Sequence, residues 1–238
     1  MQLVRSFSVC LALVGLSLAC ASNPPAPSHG RGTVFGELTL RPHPGVTMPE
    51  RGDATYSDPR LRDAQIVDYS QPGFAVVYLE GAPPAGEQVE LSIRASQFDT
   101  RLEPRWAALA QNGTVTVRNT TGEPHTVSCP SLSLVARVGP GESLTIPVRA
   151  PGAHPLFLLD RPQAEAGFFA APGPYAVLTR DPRFELRDVA PGHAELHAWH
   201  PRLPPVARAV DVLADQLLRV DLEMGVGRTP TETSDAGR

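Results

Sequence analysis

An all-β fold is predicted for this chain, and three observations predict it. The 238 residues include 26 Pro and 20 Gly, scattered rather than clustered, so few windows are long enough for a helix. Segment after segment alternates apolar and polar residues, the period of a strand with one buried face. Turn-forming runs such as Asn112-Gly113 and Gly139-Pro140-Gly141 stand between these segments.

The elements follow in order. Arg31 to Leu40 alternates at Val34, Gly36, Leu38 and Leu40 and reads as a strand. Arg41 to Arg62 is rich in Pro, Gly and Asp and reads as a loop; its Arg51-Gly52-Asp53 tripeptide is a chance match. Phe74 to Gly81 is dense in β-branched and aromatic residues, the signature of a buried strand. Ala82 to Gly86 breaks it. Gln88 to Ile93 alternates again, and Trp106 is expected on a core face. Asn112-Gly113 predicts a type I′ turn. Leu132, Leu134 and Ala136 alternate, and Ser143 to Val148 forms the next strand, at an edge or a bulge because of Pro147. Near the C-terminus, Val206 to Val212 and Leu218 to Met224 alternate around Ala214-Asp215-Gln216. A hairpin is the expectation there, with a single helix as the alternative.

The N-terminus reads as an export leader, residues 1–20: Arg5, then an apolar run from Val9 to Ala19. Leu16 to Cys20 resembles a bacterial lipobox, although Ser17 and Leu18 depart from the usual order. Ala19-Cys20-Ala21 also fits the small-x-small signal of soluble export. Lipidation at Cys20 is the preferred reading, with residues 21–32 as a Pro/Ser-rich tether. The implied location is the periplasm or outer membrane, lipid-anchored. Every basic residue is arginine. Without the leader, 20 arginines face 25 acids, a net of −5, and no basic stripe suits a nucleic acid. Cys129 is then without a cysteine partner for a disulfide and reads as a small buried hydrophobe.

Two stretches carry family resemblances. Gly113-Thr114-Val115-Thr116-Val117-Arg118-Asn119, then His125-Thr126-Val127-Ser128-Cys129, then Pro151-Gly152 and Pro162 resemble the copper half of methylamine-utilisation-type periplasmic cupredoxins. In that register Leu158 stands at the copper cysteine, Arg161 at the second histidine and Ala164 at the methionine. His125 is the only retained ligand position. Tyr175 to Gly192, with Phe184-Glu185-Leu186 and Val189-Ala190-Pro191-Gly192, resembles carboxypeptidase regulatory-like (transthyretin-like) sandwiches. Pro182 and Arg183 stand at that pattern's turn glycine and Ala194 at its tyrosine. Leu196, Trp199 and His200 match the L-x-x-W-H of methylamine-utilisation-type proteins.

The resemblance implies a Greek-key cupredoxin-like β-sandwich over residues 87–173. It implies a discontinuous carboxypeptidase regulatory-like sandwich over residues 33–84 and 175–224; the polar composition of 225–238 predicts a disordered tail. Two domains in simple tandem are the alternative. A blue-copper centre needs two imidazoles, a thiolate and a weak axial sulfur. Leucine and alanine carry no donor, and guanidinium keeps its positive charge. Cys129 lies about 13 Å along a strand from His125, too far to share an ion. His154-Pro155 as the alternative H-P pair leaves the cysteine and methionine positions to Pro151 and Phe157. No bound metal or cofactor is therefore expected; copper is the alternative.

Other chemistry is sparse. His193 and His197 share a strand face about 13 Å apart, and His200 points to the other, so a solvated strand with one packed histidine is expected rather than a metal site. No G-x-S-x-G, H-E-x-x-H or phosphate loop occurs, and the carboxylates are dispersed. The expectation is a non-enzymatic envelope protein that binds another envelope protein or a glycan. The alternatives are a copper electron-transfer protein and a hydrolase with a dispersed site.

Overall fold

The structure, a computed structural model, describes residues 26–42, 67–82, 84, 86–96 and 99–226. The leader with Cys20, most of the Arg41 to Arg62 loop and the tail beyond 226 lie outside the described residues, as do the side chains of 162–165.

All the regular structure described is strand, apart from one 3-10 turn at Pro130–Leu132. The strands are β1 (Gly32–Arg41), β2 (Ala75–Leu79), β3 (Gln88–Ala95), β4 (Thr100–Glu103), β5 (Trp106–Ala110) and β6 (Thr114–Asn119). They continue with β7 (His125–Cys129), β8 (Leu134–Val138), β9 (Ser143–Pro147), β10 (Gly152–Leu158), β11 (Arg161–Ala171) and β12 (Tyr175–Leu178). The last are β13 (Arg183–Val189), β14 (Gly192–His200), β15 (Leu203–Val212), β16 (Leu217–Arg219) and β17 (Leu222–Gly225).

Four sheets form. One orders β13-β1-β16, with β17 also on β1; the second orders β12-β2-β14-β15. These two share a core of Val34, Leu38, Val77, Leu79, Leu196 and Met224, among others. The third orders β5-β11-β10-β7-β8 and the fourth β4-β3-β6-β9. Their shared core includes Leu91, Ile93, Val117, Val127, Leu158 and Phe168. Each sandwich follows from period-2 alternation, which puts one apolar row of every strand inward.

β2 departs from alternation: Ala75, Val76, Val77 and Leu79 are all buried. Both of its faces are covered. Ala75, Val77 and Leu79 face the first core, while Val76 joins Phe169 and Ala171 in a third cluster with Phe74, Tyr78, Ala108, Tyr175 and Trp199. That cluster is an aromatic seam between the outer face of the β2 sheet and the outer face of the β11 sheet. Trp106, expected on a core face, lies in this seam, edge-on to Trp199 at 5.2 Å and 6.4 Å from Phe74.

The chain crosses the seam twice, side by side. Leu79 N–H donates to Pro174 O at 3.0 Å and Gly81 N–H to Pro172 O at 3.4 Å. Gly173 sits at this crossing because any Cβ there would lie 2.2 Å from the Leu79 carbonyl. A polar tie adds to it. One Glu87 carboxylate oxygen accepts from the Ala110 N–H at 2.6 Å and from the Tyr175 hydroxyl. Burial, then the hydrogen bond and charge of Glu87, push the Tyr175 phenol above its ordinary range.

Two expectations are corrected. The turn after β5 has Gln111 and Asn112 at its centre, closed by Gly113 N–H to Ala110 O at 3.0 Å. Asn112 takes the left-handed position (φ 70), which asparagine tolerates. Gly113 is needed for close approach instead, since a Cβ would meet Glu87 O at 2.7 Å. β5 and β6 belong to different sheets, so the link is a crossover, not a hairpin. β15 and the strands after Gln216 do not pair either. β15 pairs β14, while β16 and β17 run parallel to β1 on the facing layer. Val210 and Val212 meet Leu222 and Met224 across the core. Alternation specifies a strand and its buried face but not its neighbour. Asp215 (φ 59) makes the turn and ties it to the segment entering β1, accepting from the Gly30 N–H at 2.7 Å. Pro147 ends β9, an edge strand paired only with β6.

Candidate functional site

His125 opens β7 and is buried (2% exposed). Two loops reach it. The turn 120–124 leaves β6, and the two-residue turn Leu159-Asp160 joins β10 to β11. Asp160 Oδ2 lies 2.6 Å from His125 Nδ1, and Thr121 Oγ1 lies 3.0 Å from Nε2. Both ring nitrogens are engaged. The Leu159-Asp160 turn is itself tied to β7, by Leu159 N–H to Thr126 O at 2.9 Å and Thr126 N–H to Asp160 Oδ1 at 3.3 Å.

Asn119 underlies this arrangement. It is fully buried, and its side-chain NH2 donates to Glu123 O at 2.7 Å and Val138 O at 3.0 Å. Those two acceptors orient the amide. Its Oδ1 then accepts from the Thr121 N–H at 2.9 Å and lies 2.8 Å from Thr121 Oγ1. Asn119 thereby places the Thr121 hydroxyl under His125.

Partial burial pushes the Asp160 carboxyl up, but hydrogen bonds from His125 and backbone N–H groups, with the His125 charge, hold it below its ordinary value. A depressed carboxyl contributes stability above its unfolded pKa and loses it as pH falls through the folded one. Acidification below about pH 4 is therefore expected to weaken the tie between the Leu159-Asp160 turn and β7. Urea midpoints measured from pH 6 to pH 2.5 check this. The wild type should lose more stability over that range than Asp160→Asn, and parallel curves would refute it.

The copper that the resemblance implies does not fit these residues. Leu158, at the cysteine position, is fully buried in the apolar core. Arg161, at the second histidine, is exposed and donates to Asp160 O at 3.3 Å. Ala164 lies on β11, its side chain outside the described residues. Cys129 ends β7, the strand that His125 opens, and its thiol is pushed up by burial against the lowering hydrogen bonds of Ser131 and the Leu132 backbone. Among the described residues, no group of three His, Cys, Asp or Glu side chains is placed to hold a metal ion.

Four other histidines among the described residues lie apart from His125. His154 on β10 lies 2.9 Å from Ser131 Oγ through Nδ1 and 2.9 Å from Ala150 O through Nε2. His193 pairs with Asp211 in solvent at 2.9 Å. His197 stacks on Tyr78 at 4.9 Å, with Glu195 and Glu80 oxygens 3.6 and 3.8 Å from Nε2. His200 packs in the core, where Nδ1 accepts from the Arg202 N–H at 3.0 Å. Burial, then the Arg202 charge, lowers its pKa against the hydrogen bond to Pro72 O. His193 and His197 thus share the outer face of β14, and His200 is turned inward.

The sequence singled out His125 but not Asp160, Thr121 or the role of Asn119. Asp160 was hidden because it comes from a turn 35 residues away. The available signal was the polar Asn119-Thr120-Thr121-Gly122-Glu123 run, separated from the histidine only by Pro124.

No protein-family model matches this chain, and no curated protein matches it. Among solved structures, the chain is partly similar to a purple cupredoxin from Nitrosopumilus maritimus. The identity is 14%, the match covers 35% of this chain and 99% of that one, and the TM-score is 0.31.

Proposed function

We propose that this chain is a non-catalytic protein of the bacterial cell envelope, exported and lipid-anchored at Cys20, which binds an envelope protein or a glycan through its β-sandwich faces. In this reading residues 87–173 are a copper-free, cupredoxin-like module inserted into a carboxypeptidase regulatory-like sandwich made of 33–84 and 175–224. One observation carries it. Both nitrogens of His125, the retained ligand position, are engaged by side chains of the protein, and the other three positions offer no donor in the sequence. The leader and the Pro/Ser-rich tether support the location.

Titration of the purified chain with Cu(II) tests the reading. The expected result is no intense visible band of a thiolate–copper centre and no binding that depends on His125. A stoichiometric band lost in His125→Ala would overturn it in favour of an electron-transfer protein.

A further inference from the structure

Among the described residues of the 87–173 sandwich, two hydroxyl–imidazole pairs lie apart, and they differ in one respect. Thr121 Oγ1 is surrounded. It has His125 Nε2 at 3.0 Å, Asn119 Oδ1 at 2.8 Å, Glu123 O at 2.9 Å and Glu123 N at 3.3 Å. A hydroxyl offers one proton and two lone pairs, so this oxygen has nothing left to offer an electrophile. Among the described residues, Ser131 Oγ has two polar neighbours, His154 Nδ1 at 2.9 Å and Cys129 Sγ at 3.4 Å.

The protons around Ser131 are determined by their partners. Ala150 O can only accept, so His154 Nε2 carries the hydrogen that points to it. His154 Nδ1 is then a lone pair and accepts the Ser131 proton. The Cys129 thiol donates to Ser131 Oγ, which leaves one oxygen lone pair free. His154 is 3% exposed and lies against the Phe168 ring at 4.9 Å and 29°, so its orientation is held. Ser131 itself is exposed. It projects from the Pro130–Leu132 turn, which ends at Ser133 in the left-handed region (φ 52). A nucleophile, a base in hydrogen-bond reach and a third group orienting the base are the structural signature of an activated hydroxyl.

We propose that Ser131 is such a nucleophile and accepts an acyl group from an activated ester. Its Oγ attacks the acyl carbonyl carbon and forms a new C–O bond while His154 Nδ1 takes the hydroxyl proton. The bond from that carbon to the leaving oxygen breaks, and the leaving oxygen keeps the bonding pair and receives the proton from His154. The resulting imidazolium keeps its Nε2 hydrogen on Ala150 O throughout. Cys129 does not compete, because it is fully buried and its thiol pKa is raised. The acylation is a single event per chain, without turnover, and is separate from binding through the sandwich faces.

The test uses the full chain and p-nitrophenyl acetate, with mass spectrometry of the intact protein and its peptides. The expected result is a single acetyl adduct on Ser131 and a matching release of nitrophenol. Ser131→Ala, a surface change, should abolish the adduct. His154→Gln should slow its formation by about 100-fold, with near-UV circular dichroism reporting the fold. Ser143→Ala, on the exposed side of β9, should react like the wild type. No adduct on Ser131, or a nitrophenol burst unchanged in Ser131→Ala, would overturn the assignment; Ser131→Ala alone decides it if His154→Gln does not fold.

Discussion

Asn119→Ala is expected to lower stability by about 3 kcal/mol, because three backbone groups, one of them fully buried, lose their partner at once. Its amide holds Glu123 O and Val138 O, and its carbonyl oxygen holds the Thr121 N–H. A net hydrogen bond contributes little, but a donor or acceptor left unsatisfied in the interior costs more. The Val138 carbonyl is the decisive one, since Val138 is 2% exposed and joins the core. Glu123 is exposed and its carbonyl can turn to water. The substitution should also release Thr121 from beneath His125 and shift the imidazole resonances of that residue. Urea denaturation measures the first effect and NMR the second. Asn119→Asp, which sets a buried carboxylate oxygen against two carbonyl oxygens, should lose at least as much as Asn119→Ala. A loss below about 1 kcal/mol, the value of one ordinary hydrogen bond, would show that Asn119 does not organise the site.

Trp199→Ala is expected to lower stability by roughly 2–3 kcal/mol, below the full penalty of a buried tryptophan because Trp199 is only half-buried. Its ring stacks on Phe169 at 4.8 Å and meets Trp106 and Phe74 edge-on at 5.2 and 6.4 Å. Those partners come from the other sandwich in two cases of three, so the loss falls on the seam rather than on either core. Val76, Phe169 and Ala171 are the fully buried residues there, and the rest of the contact depends on half-buried rings. Two narrow crossings, near Gly81 and Gly173, then hold the sandwiches together. Limited proteolysis should show faster cleavage near residues 81–87 in Trp199→Ala, and small-angle scattering a broader shape distribution. Unchanged cleavage and scattering, with the same loss of stability, would place the effect inside one sandwich and refute the seam as the coupling element.

Much of this architecture was legible in the chain. Alternation at Val34, Leu38 and Leu40, and at Leu91 and Ile93, named strands and their inward faces, because the pleat has a period of two residues. The glycines and prolines punctuated them, and Pro147 marked an edge. The chemistry of single side chains was legible as well: leucine at 158 has no donor atom, and no fold can supply one. Pairing between strands was not legible. Val206 to Val212 and Leu222 to Met224 carry the same pattern whether they lie side by side or face each other across a core, and only the filled layers around β1 decided that they face. The continuous apolar run of β2 announced burial on two sides but not what covers the second side. Phe169 and Trp199 do so from distant strands. The partner of His125 was equally hidden, since Asp160 meets it only when the β10–β11 turn folds down onto β7. Local sequence determines which groups are available and which way they point along a strand; which of them meet is a property of packed layers, because each such contact joins residues whose separation along the chain carries no signal of their distance in space.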